Sequence, residues 1–342
     1  MNIWLFGVGA LGGTVSALIL RYRALVNGPF EATRYVWSRG LALLCDHNGG
    51  VDFVKRQRGS RSALRFDPDS FSNVKDGDLV WMRLIALPQF LDEALPKIKA
   101  RFALVTGDED WAIPSGFDRS SELLSDPRVV CWFTQNFDGT EDSGKILPMP
   151  IGLDFHTISN TRKWGHWPAT PAAQEAELEA LRKAAAPNAR RLLRVHADFH
   201  FNKHKHQVWG DDRQAVQNAL RDNPDVQFQT SKVRRIDLWR EKTRYAFVVS
   251  PHGNGLDCHR TWESLVLGNI VIVKRSSLDP LYEGLPVVIV GDWREITRSN
   301  LERWHAEHRS AFGTPQVEER LTNRYWVQHM RRIVAERLAA SG

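Results

Sequence analysis

The sequence predicts an α/β fold in two sheet-and-helix halves, and three observations carry that expectation. Short apolar runs rich in β-branched residues alternate with helical and loop patterns along most of the chain, as in open α/β sheets. A length of 342 residues is near twice that of a usual domain and favours two. The stretch Tyr245 to Lys274, YAFVVSPHGNGLDCHRTWESLVLGNIVIVK, reads strand, glycine loop, helix, strand. Parallel strands joined this way need a right-handed crossover, which puts the glycines and the helix start at the carboxyl edge of the sheet, where such proteins bind ligands.

Composition sets limits. A hydrophobic content of 42% and a charged content of 25% are those of an ordinary globular protein and exclude a disordered chain. The formal charge of +6 comes with dispersed arginines, which points to anionic ligands; no aromatic-plus-basic motif argues for nucleic acid. Cys45, Cys131 and Cys258 are odd in number and far apart, so free thiols in a reducing compartment are expected. With no leader-like segment and no apolar run of membrane-spanning length, the expectation is a cytoplasmic protein, at most peripheral at the inner face of a membrane.

In chain order, Gly7, Gly9 and Gly12 match the GxGxxG pattern, but the acidic strand end expected about twenty residues later is missing. Glu31 lies near that distance in a turn-like context, so a plain βα turn is the better reading. LALLCDH, GDLVWMRL, RFALVTGD and RVVCWFTQN read as strands, separated by helical or loop patterns such as ALPQFLDEALPKIK. The exits TGDEDW and FTQNFD carry Asp108, Glu109, Asp110, Gln135, Asn136 and Asp138. A carboxylate there would serve as a general base on a hydroxyl, although capping of turns is the commoner use. Pro148 and Pro150 stiffen an extended segment that closes the first half, residues 1–155.

A polar connection spans 156–188, including the surface-helix pattern AAQEAELEALRKAAA. The second half, 189–314, opens with a strand leading to His196, His200, His204 and His206. A metal reading of those histidines needs a continuous helix, and the pattern is strand end and loop, so polar histidines facing a cleft are expected and no metal site. A helix from DDRQAVQNALRDN, the strand VQFQT and a helix in IDLWREK lead into the central unit, and VVIV adds another strand. The tail, 315–342, has apolar residues at helical spacing beside a basic face and is expected to pack across the junction of the halves.

Within the central unit, Gly253 and Gly255 lack Cβ and would let backbone approach a ligand closely. A helix opening at Leu256 or Asp257 would offer free N–H groups to an anion and end near Gly268. Arg260 and Glu263, three apart, share a face: a cation for phosphate and a carboxylate for ribose hydroxyls. The plain alternative is a helix cap with a solvated Arg–Glu pair.

FALVTGDEDWAIP, VVCWFTQNF with LPMPIGLD, FVVSPHGNGLDCHRTWESLVLGNIVIVK and LTNRYWVQHMRRI, in this order, resemble the blocks of the exostosin-like glycosyltransferases, bacterial and viral type. The resemblance implies a GT-B fold, two Rossmann-like domains facing a cleft, and transfer of a sugar from a nucleotide diphosphate sugar, UDP-sugar favoured, to an acceptor hydroxyl in glycan or surface polysaccharide synthesis. By it Arg260 contacts the diphosphate and Glu263 the ribose, with Gly253, Asn254 and Gly255 beside the donor and Arg213 and Lys274 completing the set. The GVGALGG start departs from the pattern. Helix N–H groups and Arg260 would stabilise the leaving diphosphate without a metal ion, with inversion if displacement is direct. Asp110, Asp108 and His252 are the candidate catalytic residues. Two other classes remain open: an NAD(P)-dependent oxidoreductase built on the N-terminal glycines, and a non-catalytic nucleotide- or glycan-binding protein.

Overall fold

The computed structural model describes residues 33–55, 65–141, 143–159, 162–200, 209 and 211–340. The N-terminal GxGxxG, Glu31, His204 and His206 lie outside the described residues. Among the described residues, nine strands form two sheets in which every pairing is parallel. These are the two Rossmann-like α/β layers that the alternation of strand and helix patterns predicts, with a cleft between them.

The first sheet runs in sequence order: β1 (Leu79–Arg83), β2 (Phe102–Gly107), β3 (Val129–Thr134) and β4 (Ile146–Pro148). All residues of β1 and β2 are buried, which is why these segments read as unbroken apolar runs. Two polar contacts lie inside this sheet. Thr106 and Thr134 meet at 2.8 Å across adjacent strands, and Trp132 Nε1 donates to Thr106 Oγ1 at 2.7 Å. Among the described residues β4 pairs only with β3, which puts its Pro148 on an edge, where a missing N–H is tolerated.

One expectation fails in this half. LALLCDH is not a strand: Ser38–Leu44 is a helix, its residues Ser38 to Ala42 buried against the helix Asn323–Ala340. A short apolar run buried on all sides carries no period that separates the two states. Close packing marks the spot, since a Cβ on Gly40 would come within 2.6 Å of Asn323 Nδ2. The segment ALPQFLDEALPKIK, read as helical or loop, is a string of short helical turns from Leu84 to Lys97, because Pro88 and Pro96 each remove a backbone donor.

The second sheet has the order β6-β5-β7-β8-β9, with β5 (Leu192–Ala197), β6 (Val226–Phe228), β7 (Tyr245–Val249), β8 (Ile270–Lys274) and β9 (Val287–Val290). From β5 the chain winds outward to β6, then returns across β5 to build the rest on its other side. The reversal makes a topological switch point between β5 and β7, where loops diverge and leave a crevice at the carboxyl edge. The helix after β7 ends as expected, with Gly268 at φ +83° just past its C-cap.

The C-terminal helix Asn323–Ala340 lies on the Ser38–Leu44 helix and on β3. Its Trp326 also meets Trp262 of the helix after β7 edge to face, ring centroids 6.1 Å apart. Among the described residues no helix is long and apolar enough to cross a membrane.

Candidate active site

The crevice at the switch point is bounded by the exits of β5 and β7. Asp198, one residue past β5, is buried and takes Lys242 Nζ at 2.8 Å and Arg260 Nε at 3.0 Å. Burial alone would raise its carboxyl; Lys242 and Arg260 outweigh burial and hold it down at about 2. Arg260 is further fixed by Nη1, which donates to Pro251 O at 3.1 Å and Ser250 Oγ at 3.3 Å. Its edge therefore faces the cleft in a set orientation. Glu263 stands 3.8 Å from the same Lys242. The Arg–Glu pair foreseen on one helix face is not a mutual pair: each side chain is held by a different buried partner, and both border the cleft.

The helix begins at His259 with Cys258 as N-cap, not at Leu256 or Asp257. Asp257 is a clamp instead. Its carboxylate accepts Ile151 N at 2.8 Å, Cys258 N at 2.8 Å and Trp262 Nε1 at 2.9 Å, tying the loop to the segment after β4. Burial pushes this carboxyl up to about 6.

The two glycines serve protein neighbours. A Cβ on Gly253 would come 2.7 Å from Arg213 Nη2, and one on Gly255 would come 2.6 Å from Asn136 Nδ2. Gly253 thus admits Arg213 beneath the loop, and Gly255 admits the side chain from the exit of β3. Arg213 Nη1 donates to His200 O at 2.7 Å and Nε to His252 O at 3.2 Å, and among the described residues no carboxylate forms an ion pair with it. Burial, together with repulsion from Arg260, lowers its pKa, as expected of a cation short of counter-charge. Asn254 is exposed on the cleft rim.

Opposite stand the acidic exits of the first sheet. Asp108 is buried between Arg39 Nη2 and Arg83 Nε, each at 3.1 Å, in a left-handed conformation with φ 68°. Burial raises its carboxyl, but Arg39, His156 and Arg83 together hold it below the ordinary range. A carboxylate clamped by two guanidiniums is a poor proton acceptor, so its role is to anchor the strand exit. Asp110, two residues on, is exposed and lines the cleft.

His252 and Lys274 fall outside the cleft lining. His252 Nδ1 lies 2.9 Å from Leu256 O, the backbone N–H of His252 donates to Asp212 Oδ2 at 3.0 Å, and burial lowers the imidazole's pKa. Lys274 Nζ lies 3.8 Å from the same Asp212. His196 is in β5 rather than in a loop, buried and stacked on Tyr245 at 5.0 Å, whereas His200 lines the cleft.

Sequence reasoning passed over one group. Asp154 and His156 follow β4, and His259 opens the helix after β7; their ligand-type atoms lie within 4.8 Å of one another. The block GLDFHT and the residue before Arg260 carried this signal, but the chemistry emerges only when two segments a hundred residues apart meet. Arg39 and Arg235, also on the lining, were equally unmarked.

The cavity so formed measures about 740 Å³, within the range of small-molecule sites, and draws walls from both sheets. Seven carboxylates line it against five lysines and arginines.

No protein-family model matches the chain, and no curated protein matches it. Solved structures similar in fold include a UDP-forming α,α-trehalose-phosphate synthase from Burkholderia xenovorans, with TM-score 0.42, 10% identity, 93% of this chain and 86% of the other covered. Another is the α,α-trehalose 6-phosphate synthase of Burkholderia multivorans, with TM-score 0.42, 12% identity, and 94% and 83% covered. A third is the N-terminal domain of the Candida albicans trehalose-6-phosphate phosphatase, with TM-score 0.41, 11% identity, and 82% and 77% covered. At these scores a shared activity does not follow.

Proposed function

We propose that the chain is a glycosyltransferase that moves a sugar from a nucleotide diphosphate sugar, UDP-sugar favoured, to an acceptor hydroxyl. The observation that carries this reading is the placement of Arg213, Arg260 and Glu263 at the switch-point crevice of the second sheet, with Asp110 across the cleft on the first. Arg213, whose Nε and Nη1 donate to backbone carbonyls, has charge to offer a diphosphate, and Arg260 is pre-oriented by Asp198. Glu263 would accept the ribose hydroxyls. Of the three catalytic candidates, Asp110 is the one on the cleft that no buried ion pair holds.

In the proposed step Asp110 takes the acceptor proton as the acceptor oxygen bonds to the anomeric carbon. The bond from that carbon to the diphosphate breaks, and its electron pair leaves on the phosphate oxygen, stabilised by Arg213 and Arg260. A single displacement inverts the anomeric centre. The acceptor belongs to glycan or surface polysaccharide synthesis on this reading. Nucleotide release from UDP-sugars supplied with sugar acceptors tests it: release supports the reading, UDP binding without release points to a binding protein, and a thermal response to NAD alone overturns it.

A further inference from the structure

Against the metal-free expectation drawn from the sequence, we infer that Asp154, His156 and His259 form a site for a divalent transition-metal ion in the cleft. Two imidazoles and one carboxylate are the donor set that zinc and its neighbours in the first row prefer, and hard cations such as magnesium do not. Their ligand atoms already lie within 4.8 Å of one another, so small side-chain rotations bring all three onto one ion.

The surroundings are arranged as metal sites require. His259 Nδ1 lies 2.7 Å from Gly152 O, so that nitrogen carries the hydrogen and Nε2 keeps a lone pair for a ligand. Thr157 N donates to Asp154 Oδ1 at 3.0 Å and sets the carboxylate's orientation. The nearby guanidinium of Arg235 donates to the Asp154 main-chain carbonyl at 3.0 Å instead of capping the carboxylate. Charge points the same way. The lining carboxylates Asp108 and Asp198 already hold buried cations, Arg39 with Arg83 and Lys242 with Arg260, whereas among the described residues Asp154 pairs with no lysine or arginine and has only His156 Nδ1, at 3.2 Å. A divalent cation would supply the counter-charge that the buried Asp154 carboxylate lacks.

The three ligands come from both sides of the cleft: Asp154 and His156 from the segment after β4, His259 from the helix after β7. The ion would therefore tie the two halves together, and three protein ligands leave a coordination position open to the cavity. The site stands independently of the glycosyl-transfer reading, because it rests on the donor set and on the pairing of Asp154.

The test uses the full chain, stripped with a chelator and titrated with cobalt(II). The expected result is the strong visible absorption of a four- or five-coordinate cobalt–imidazole centre, displaced by zinc, with a melting temperature that rises with zinc concentration. His259→Ala and His156→Gln should each weaken zinc binding roughly tenfold or more, while Lys163→Ala, a change elsewhere on the same lining, should not. Absence of the cobalt band together with no zinc-dependent rise in melting temperature overturns the inference. So does zinc binding of wild-type strength in both histidine variants, which would put the ion elsewhere. UDP binding by a chain that takes no metal contradicts this site and leaves the transferase reading standing; zinc binding here without nucleotide binding does the reverse.

Discussion

Asn136 Oδ1 accepts the backbone N–H of Asp257 at 2.9 Å, joining the exit of β3 in one sheet to the glycine loop after β7 in the other. Asn136 Nδ2 donates in turn to Glu109 O at 3.2 Å, so the amide is held at both ends. Gly255 is the residue that leaves room for it, since a Cβ there would lie 2.6 to 2.9 Å from the Asn136 side chain.

Gly255→Ala should therefore destabilise the chain by about 1–3 kcal/mol through overpacking at this junction. Adding Asn136→Gly removes the obstruction, and the double variant should be less destabilised than the two single losses summed. Urea denaturation of all four proteins measures this. Strict additivity would mean that the two residues do not meet in solution.

Asp108→Ala leaves the buried guanidiniums of Arg39 and Arg83 without their shared carboxylate. Loss of one member of a buried ion network costs roughly 3–5 kcal/mol. Denaturant midpoints should fall accordingly. A variant of wild-type stability that had merely lost turnover would return Asp108 to the list of candidate bases.

The Asp198 carboxyl, held down at about 2 by Lys242 and Arg260 despite burial, predicts an acid limb in stability. Its folded pKa is below the unfolded value, so the contribution is complete above about pH 4 and is lost as pH falls towards 2. Asp198→Asn should be less stable at neutral pH and show a flatter profile across that window. An unchanged acid limb in the variant would remove Asp198 as its source.

Asp110→Asn should lower kcat by roughly a hundredfold to ten-thousandfold, the usual worth of a positioned general base, while UDP affinity stays near wild type. The split between kcat and affinity is the informative readout. Equal loss of both would assign Asp110 a structural role.

How far these features were legible in the sequence depends on where their causes lie. β1, β2, β3, β7 and β8 were readable because strands buried on both faces must be apolar throughout, and that constraint is written locally. Gly268 was readable for the same reason: a left-handed C′ position is a local demand. The helix Ser38–Leu44 was not, because its identity is decided by the C-terminal helix packed on it, nearly three hundred residues away. In the site, the cleft-lining places of Arg213, Arg260 and Glu263 were anticipated, but their partners were not. Asp198 and Lys242 reach Arg260 and Glu263 only through the sheet order. Gly253 and Gly255 were read as openings for a ligand; that they also make room for Arg213 and Asn136 is something sequence spacing does not contain.

The central claim is that the crevice between β5 and β7 holds the diphosphate of a nucleotide sugar, and calorimetric titration of UDP into wild type and Arg213→Ala tests it most directly. Saturable binding by wild type, weakened roughly ten- to a hundredfold in the variant by loss of a charged hydrogen-bond donor, is the predicted result. UDP affinity unchanged in a correctly folded Arg213→Ala chain, or no UDP binding by wild type, would contradict it.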